Sequence, residues 1–213
     1  RSSSALAAFY PEDSKGNIPG QELIALNASR TVTFSPYALR LGGDAQSDLT
    51  KVTPQEFVDG SPKIKYVCEC IRTVKQYHEA QQSPVSGQII YADRGTEWFG
   101  HIKQYLVEDV GYTDKEVAIF HGKVSKGRRE TIKEGFLAGK IKIIIGSSTM
   151  REGVDLQKYG TVLYNCFLDW NPTDHHQLMG RIWRFGNKFS HVRIVVPLME
   201  NSADIFTWQK LSE

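Results

Sequence analysis

QIIYADRGTEWFGHIKQYLVEDVGYTDKEVAIFHG, residues Gln88 to Gly122, reads as strand, helix, strand. Gln88–Asp93 and Val117–Gly122 are short apolar runs bounded by turn residues, as strands buried on both faces are. The stretch from about Glu97 to Val107 between them has helical spacing. The pattern then repeats outward. A helix from about Lys126 to Ala138 leads to KIIIG (Lys142–Gly146), and TVLYNC (Thr161–Cys166) and VRIVVP (Val192–Pro197) are further buried strands. Strands alternating with helices predict an α/β fold, an open parallel sheet with helices on both faces. Such sheets place their sites at the carboxyl ends of the strands.

Upstream, Ser61 followed by Pro62 signals a helix start, opening PKIKYVCECIRTVKQYHEA. Ile64, Val67, Cys68, Ile71, Val74 and Tyr77 recur at helical spacing and predict a core-facing stripe. From Arg1 to about Pro62 the sequence is poorly periodic. Helical stretches are expected there around Gln21–Ala28, around Ser35–Leu41 and from Pro54–Val58. The reading divides the chain into a mostly helical or irregular lead-in, residues 1–60, and an α/β domain, residues 61–213.

Composition bounds the function. The 213 residues are 40% hydrophobic and 23% charged, as in an ordinary globular protein. Lys plus Arg is 26 and Asp plus Glu is 24, a formal charge of +2, which excludes a histone-like binder but leaves room for a local basic patch. The 3 cysteines, Cys68, Cys70 and Cys166, are an odd count and point to reduced thiols. Cys68 and Cys70 read as small hydrophobes within a helix, with no second Cys or His pair at zinc-ligand spacing. No apolar run approaches the roughly 20 residues that cross a bilayer, and no signal pattern opens the chain. No membrane partner is expected, and the location is cytoplasmic, or nuclear in a eukaryote. The first residue is Arg1 and not Met, so the chain is expected to be a piece of a longer protein.

Three stretches carry candidate chemistry. In QLMGRIWRFGN (Gln177–Asn187), preceded by DWNPTD, Asp174 is placed to cap a helix presenting Gln177, Arg181 and Arg184 on one face. Two guanidinium forks beside a glutamine suit a ligand with several anionic oxygens. The bland alternative is a solvated basic face, weakened here by nearby Ile182, Trp183 and Phe185. In IIIGSSTMREGVDLQ (Ile143–Gln157) a buried strand ends at Gly146 and is followed by Ser147, Ser148 and Thr149. Hydroxyls with free backbone N–H groups at such a point bind phosphate, although plain helix capping uses the same residues. Gly153 permits an unusual backbone angle, and Asp155 can accept a hydrogen bond from a ribose hydroxyl or an arginine. In FHGKVSKGRRE (Phe120–Glu130) a strand end meets His121, Gly122, Lys123, Lys126, Arg128 and Arg129. This is a basic loop for a nucleic-acid backbone or a solvated surface.

In this order and spacing the segments resemble the second RecA-like lobe of superfamily-two helicases and translocases, and among these the Swi/Snf-type DNA translocases, over about Ser61 to Trp208. SPKIKYVCECI resembles that family's opening helix, QIIYAD its motif IV strand and IFHGKVSKGRRETIKEGF its motif IVa with the following helix. STMREGVDLQ resembles motif V, DWNPTDHHQLMGRIWRFGN motif VI with its Trp-Asn-Pro lead, and HVRIVVPLMENSADIF the closing strand and brace helix. Asp155, Gly180 and Asn187 depart from the residues commonest in Swi/Snf proteins.

The resemblance implies a RecA-like, P-loop-NTPase-like second lobe of an ATP-dependent DNA helicase or translocase. Arg181 and Arg184 would be arginine fingers, with Gln177 orienting them or the attacking water. Gly153 and Asp155 would couple the nucleotide to the strand-binding loop. His121, Gly122 and Lys123 with Ser147, Ser148 and Thr149 would grip backbone phosphates. The implied partners are DNA, double-stranded ahead of single-stranded and with RNA not excluded, and an N-terminal RecA-like lobe. ATP and Mg2+ belong to the whole protein. A phosphate loop needs Gly, four residues, then Gly-Lys-Ser/Thr. The nearest approach, GFLAGKI (Gly135–Ile141), has three intervening residues and Ile in place of the hydroxyl, and no Asp-Glu pair occurs. Phosphate and Mg2+ ligands are therefore expected on the other lobe, no metal site is expected here, and this chain alone is expected to be inactive. The rival readings are a non-catalytic nucleic-acid or protein-binding module with this fold, and a complete small enzyme clamping a phosphate-bearing substrate.

Overall fold

The computed structural model describes residues 21–39, 49–151, 158–168, 171–180 and 185–212. Among them β1 (Gly87–Tyr91), β2 (Val117–Phe120), β3 (Ile143–Gly146), β4 (Gly160–Asn165) and β5 (Arg193–Val195) form one sheet in the order β2-β3-β1-β4-β5. All its pairings are parallel, with Ile89 of β1 opposite Ile144 and Leu163. The helices are α1 (Gln21–Phe34), α2 (Pro54–Asp59), α3 (Pro62–Ala80), α4 (Phe99–Glu108), α5 (Lys126–Leu137), α6 (Pro172–Met179) and α7 (Ala203–Ser212).

Alternation along the strands divides the core in two. Ile90, Ile143, Ile145, Val162 and Tyr164 face the layer of α2, α3 and α4, packing with Phe57, Ile64, Val67, Ile71 and Ile102. Ile89, Tyr91, Phe120, Ile144 and Leu163 face the other side and pack with Ile132 and Phe136 of α5 and Leu178 of α6. Both faces are covered, which is why the strands are continuously apolar.

Several local expectations are corrected. Ser61 does not cap α3 with its side chain. It is fully buried, and its hydroxyl instead meets that of Ser35 at 2.7 Å. Tyr77, expected in the apolar stripe of α3, is 63% exposed, and the next residue, His78, is the buried one, set edge-on against Phe189. Of the helix expected around Ser35–Leu41, residues 35–39 form a tight 3-10 turn, Pro36–Ala38, capped by the Ser35 hydroxyl on Tyr37 N–H, and residues 40–41 lie outside the described residues. The helix expected at Gln21–Ala28 runs on to Phe34, whose ring lies where a side chain on Gly95 would stand, 2.5 Å away. Gly95 also has a positive φ, +69°, so two constraints select glycine there.

GFLAGKI is a helix end. Gly139 at φ +70° reverses the chain, its N–H bonds Phe136 O at 3.0 Å, and Lys140 N–H bonds Gly135 O at 2.8 Å. This is a Schellman closure. Its N–H groups are spent on carbonyls, so it offers no phosphate cradle. No helix among the described residues is long and apolar enough to cross a membrane.

Candidate functional site

Register puts the strand ends side by side. Phe120 pairs with Gly146, and Gly146 with Tyr91, so the segments after β2, β3 and β1 emerge in a row at the carboxyl edge. The segment after β4 follows, tied in by the bond from Cys166 N–H to Tyr91 O at 2.8 Å.

After β2, His121, Gly122 and Lys123 form a turn in which Lys123 N–H donates to His121 Nδ1 at 3.1 Å. Burial, with Lys123 beside it, holds the His121 imidazole below its ordinary pKa. The ring is therefore neutral at pH 7, and the charge at this strand end is that of exposed Lys123. Gly122 has no positive φ, and a side chain there would meet only the Thr149 methyl at 3.7 Å. The fold leaves its backbone bare without needing to. α5 starts here, with Ser125 accepting from Arg128 N–H. Its first turn carries Lys126, Arg128 and Arg129 and no acid, an arrangement that opposes the helix dipole. None of Lys123, Lys126 and Arg128 pairs with a carboxylate among the described residues, and Arg129 Nε is buried without a hydrogen-bond partner.

After β3, the expectation of free backbone N–H groups is corrected for Ser147 and Ser148. Ser147 N–H donates to Phe120 O at 3.1 Å, and Ser148 N–H to the Asp93 carboxylate at 2.9 Å. What remains is the exposed Ser148 and the Thr149 hydroxyl, which is buried and has no partner. Asp93, which sequence reasoning passed over, shapes this turn from the end of β1. Its signal was an acid closing a buried apolar strand. Gly146 is fixed by packing, since a side chain there would overlap Met150 and approach Phe120 O at 3.2 Å.

After β4, α6 is capped by Asn171, whose side chain accepts from Thr173 N–H at 3.0 Å; Asp174 is not the cap. Gln177 is exposed on α6, and Leu178 on its other side shares a core with Met150 of the turn after β3. The structure thus packs α6 against the turn after β3, with Gln177 on the exposed side of that helix. Arg181, Arg184, Gly153 and Asp155 lie outside the described residues. Downstream, Asn187 donates to Gly160 O at 2.7 Å and accepts from Phe189 N–H at 2.9 Å, tying the loop after α6 to the start of β4. Among the described residues no three His, Cys, Asp or Glu side chains gather to hold a metal ion.

Residues 62–186 match the family described as the helicase conserved C-terminal domain. The chain belongs to that family. This helicase C-terminal domain is 28% identical over 111 residues to the ATP-dependent DNA helicase At3g02060, chloroplastic, of Arabidopsis thaliana, covering 52% of this chain and 13% of that protein. It is 25% identical over 178 residues to the putative ATP-dependent RNA helicase R458 of Acanthamoeba polyphaga mimivirus, covering 78% of this chain and 33% of that protein. The chain thus spans a third or less of the length of these relatives. Among solved structures, the C-terminal part of the Fun30 ATPase domain superposes with a TM-score of 0.59 at 16% identity, over 99% of this chain and 62% of that one. S. cerevisiae Dbp5 bound to RNA and ADP BeF3 does so at 0.52 and 17%, over 76% and 36%. At those identities the likeness establishes the RecA-like fold of the helicase C-terminal domain.

Proposed function

We propose that this helicase C-terminal domain is the second motor lobe of an ATP-dependent DNA helicase or translocase of the Swi/Snf type. It would share its nucleotide with an N-terminal RecA-like lobe. The observation that carries the reading is the basic first turn of α5 beside Lys123 and the bare Gly122 backbone, set against the unpartnered Thr149 hydroxyl. A helix start with three basic residues and no acid works against its own dipole, and an approaching phosphate chain removes that conflict. A buried hydroxyl without a partner costs about 1–3 kcal/mol, which a phosphate oxygen reaching it would recover. The Trp170-Asn171-Pro172 lead favours the Swi/Snf type. Relatives named as DNA and as RNA helicases make the DNA assignment the point to test.

In this reading His121–Lys123 and Ser147–Thr149 hold backbone phosphates. Gly153 and Asp155 couple that grip to the nucleotide. Arg181 and Arg184 reach the γ-phosphate of ATP held by the other lobe, with Gln177 orienting them or the attacking water. Mg2+ supplies phosphate charge neutralisation in the whole protein. The described residues do not fit that ion, and no step assigned to this lobe passes through it. Lobe closure and opening with each ATP would then advance the nucleic acid.

Binding of this chain to duplex DNA, single-stranded DNA and RNA of one sequence, measured from low to moderate salt, tests the track. Affinity should be weak and duplex DNA preferred, with a log–log salt slope equivalent to only a few released counterions. Lys123→Ala should reduce that slope by about 1. Thr149→Val should weaken binding equally for all base sequences, since a phosphate contact carries no base information. Affinity indifferent to salt and to Lys123→Ala would overturn the placement of the track, and preference for RNA would overturn the DNA assignment. The chain alone should release no phosphate from ATP above a buffer blank. Turnover that disappears with Arg184→Ala in this chain would mean that it is a complete enzyme.

A further inference from the structure

We propose that a cleft between the last turns of α3 and the amino ends of β4 and β5 binds a small flat-ringed anion. The cleft has a volume of about 460 Å³, within the range of small-molecule sites. Val162 of β4 and Arg193 of β5 line it, and the two stand opposite each other in the parallel register, so they share one face of the sheet. α3 supplies Tyr77 and His78, and the loop before β5 supplies Phe189 and His191. The phosphate track proposed above follows the carboxyl ends of β2 and β3, so the cleft is a separate site.

The lining chemistry selects the ligand. Arg193 is exposed and has neither an ion pair nor a side-chain hydrogen bond among the described residues, and no Asp or Glu lines the cleft. A guanidinium fork without a carboxylate suits a carboxylate or phosphate ligand, which accepts two parallel hydrogen bonds. His78 is 9% exposed. Ser83 Oγ lies 3.1 Å from its Nδ1, while its Nε2 has no hydrogen-bond partner among the described residues. Burial, with Lys142 nearby, holds this imidazole below its ordinary pKa. At pH 7 it therefore contributes a neutral hydrogen-bonding atom, and Arg193 contributes the charge. The aromatic wall is continuous, with the His78 ring edge-on to Tyr77 at 5.6 Å and to Phe189 at 5.5 Å between centroids. Phe189 is held in place before any ligand arrives, since Asn187 accepts from its N–H and donates to Gly160 O. Ring faces beside a lone guanidinium call for a flat ring carrying an anionic group, as a nucleoside monophosphate or an aromatic carboxylate does.

Calorimetric titration of this chain with AMP and with indole-3-acetate separates the two sources. At least one should bind one-to-one, and the tighter of the two names the source. That probe should bind at least about tenfold more tightly than inorganic phosphate or adenosine, which lack the ring and the anionic group respectively. Arg193→Met should weaken it by about tenfold to a hundredfold, the worth of a charge-assisted hydrogen bond. Tyr77→Ala should weaken it by about threefold to tenfold, the worth of a ring contact. Both side chains are exposed, so neither variant should move the melting temperature of the free chain. NMR amide shifts on binding should fall on residues 73–78 and 189–193. The site is overturned by no binding of either probe, by phosphate or adenosine binding as tightly, or by affinity indifferent to Arg193→Met. Shifts confined to His121–Lys123 and Ser147–Thr149 would overturn it as well, placing the probe on the track. None of these results bears on turnover of Arg184→Ala, so the cleft and the motor-lobe reading fail separately.

Discussion

Lys63→Met should lower the unfolding free energy by about 3–5 kcal/mol, the usual cost of stranding one member of a buried ion pair. That corresponds to roughly 6–20 °C in melting temperature for a chain of this size. Lys63 and Asp204 are each 4% exposed, and Lys63 Nζ stands 2.5 Å from Asp204 Oδ2. Nζ also donates to Cys166 O at 3.2 Å, while the Asp204 carboxylate accepts from Thr33 Oγ1 and, at 3.0 Å, from Met199 N–H. The knot joins α1, α3, the end of β4 and α7. Burial pushes the Cys166 thiol up to about 12, so no thiolate competes for the ammonium at neutral pH. Without Lys63 the carboxylate is left with neutral donors only, and with Asp204→Leu the ammonium is stranded instead. The double variant Lys63→Met/Asp204→Leu should therefore cost clearly less than the two single losses added together. Denaturant unfolding of the three variants measures this. Single losses below about 1 kcal/mol would show a hydrated pair of the surface kind.

The same knot shows where sequence reading stops. The five strands were legible because each is apolar on both faces between turn residues. Every observed strand falls within one or two residues of its expected limits, the last being trimmed to Arg193–Val195. The parallel order β2-β3-β1-β4-β5 brings the segments at His121 and Ser147 together at one edge, as strand ends of an open sheet require. Partners across long sequence separations were not legible. A serine before a proline looks like a cap whatever its hydroxyl meets, and for Ser61 that is Ser35. The free N–H groups expected at Ser147 and Ser148 are occupied from neighbouring strands by Phe120 O and Asp93, which the local sequence does not reveal. Asn171 and Asp174 are both good caps by type, and Pro172 at the first helical position selects Asn171. Tyr77 obeys the helical period of α3 and is still exposed, while His78 beside it is buried against Phe189, a partner that the local sequence does not reveal.

Arg184→Ala in the full-length protein should lower ATP turnover by roughly a thousandfold or more, the magnitude of an arginine finger. A finger acts on charge that develops during phosphoryl transfer, so ATP affinity should change far less than the rate, and DNA binding hardly at all. Arg184→Lys should fail nearly as badly, because an ammonium keeps the charge and loses the planar fork. Loss of a purely structural arginine would behave differently, lowering the melting temperature and every activity together. Steady-state turnover of Arg184→Ala with saturating ATP and DNA, on a preparation with unchanged melting temperature and nucleotide affinity, is the most direct test of the motor-lobe account. A thousandfold fall confirms that this domain completes the nucleotide site of another lobe. Turnover within a few-fold of the unaltered protein contradicts it.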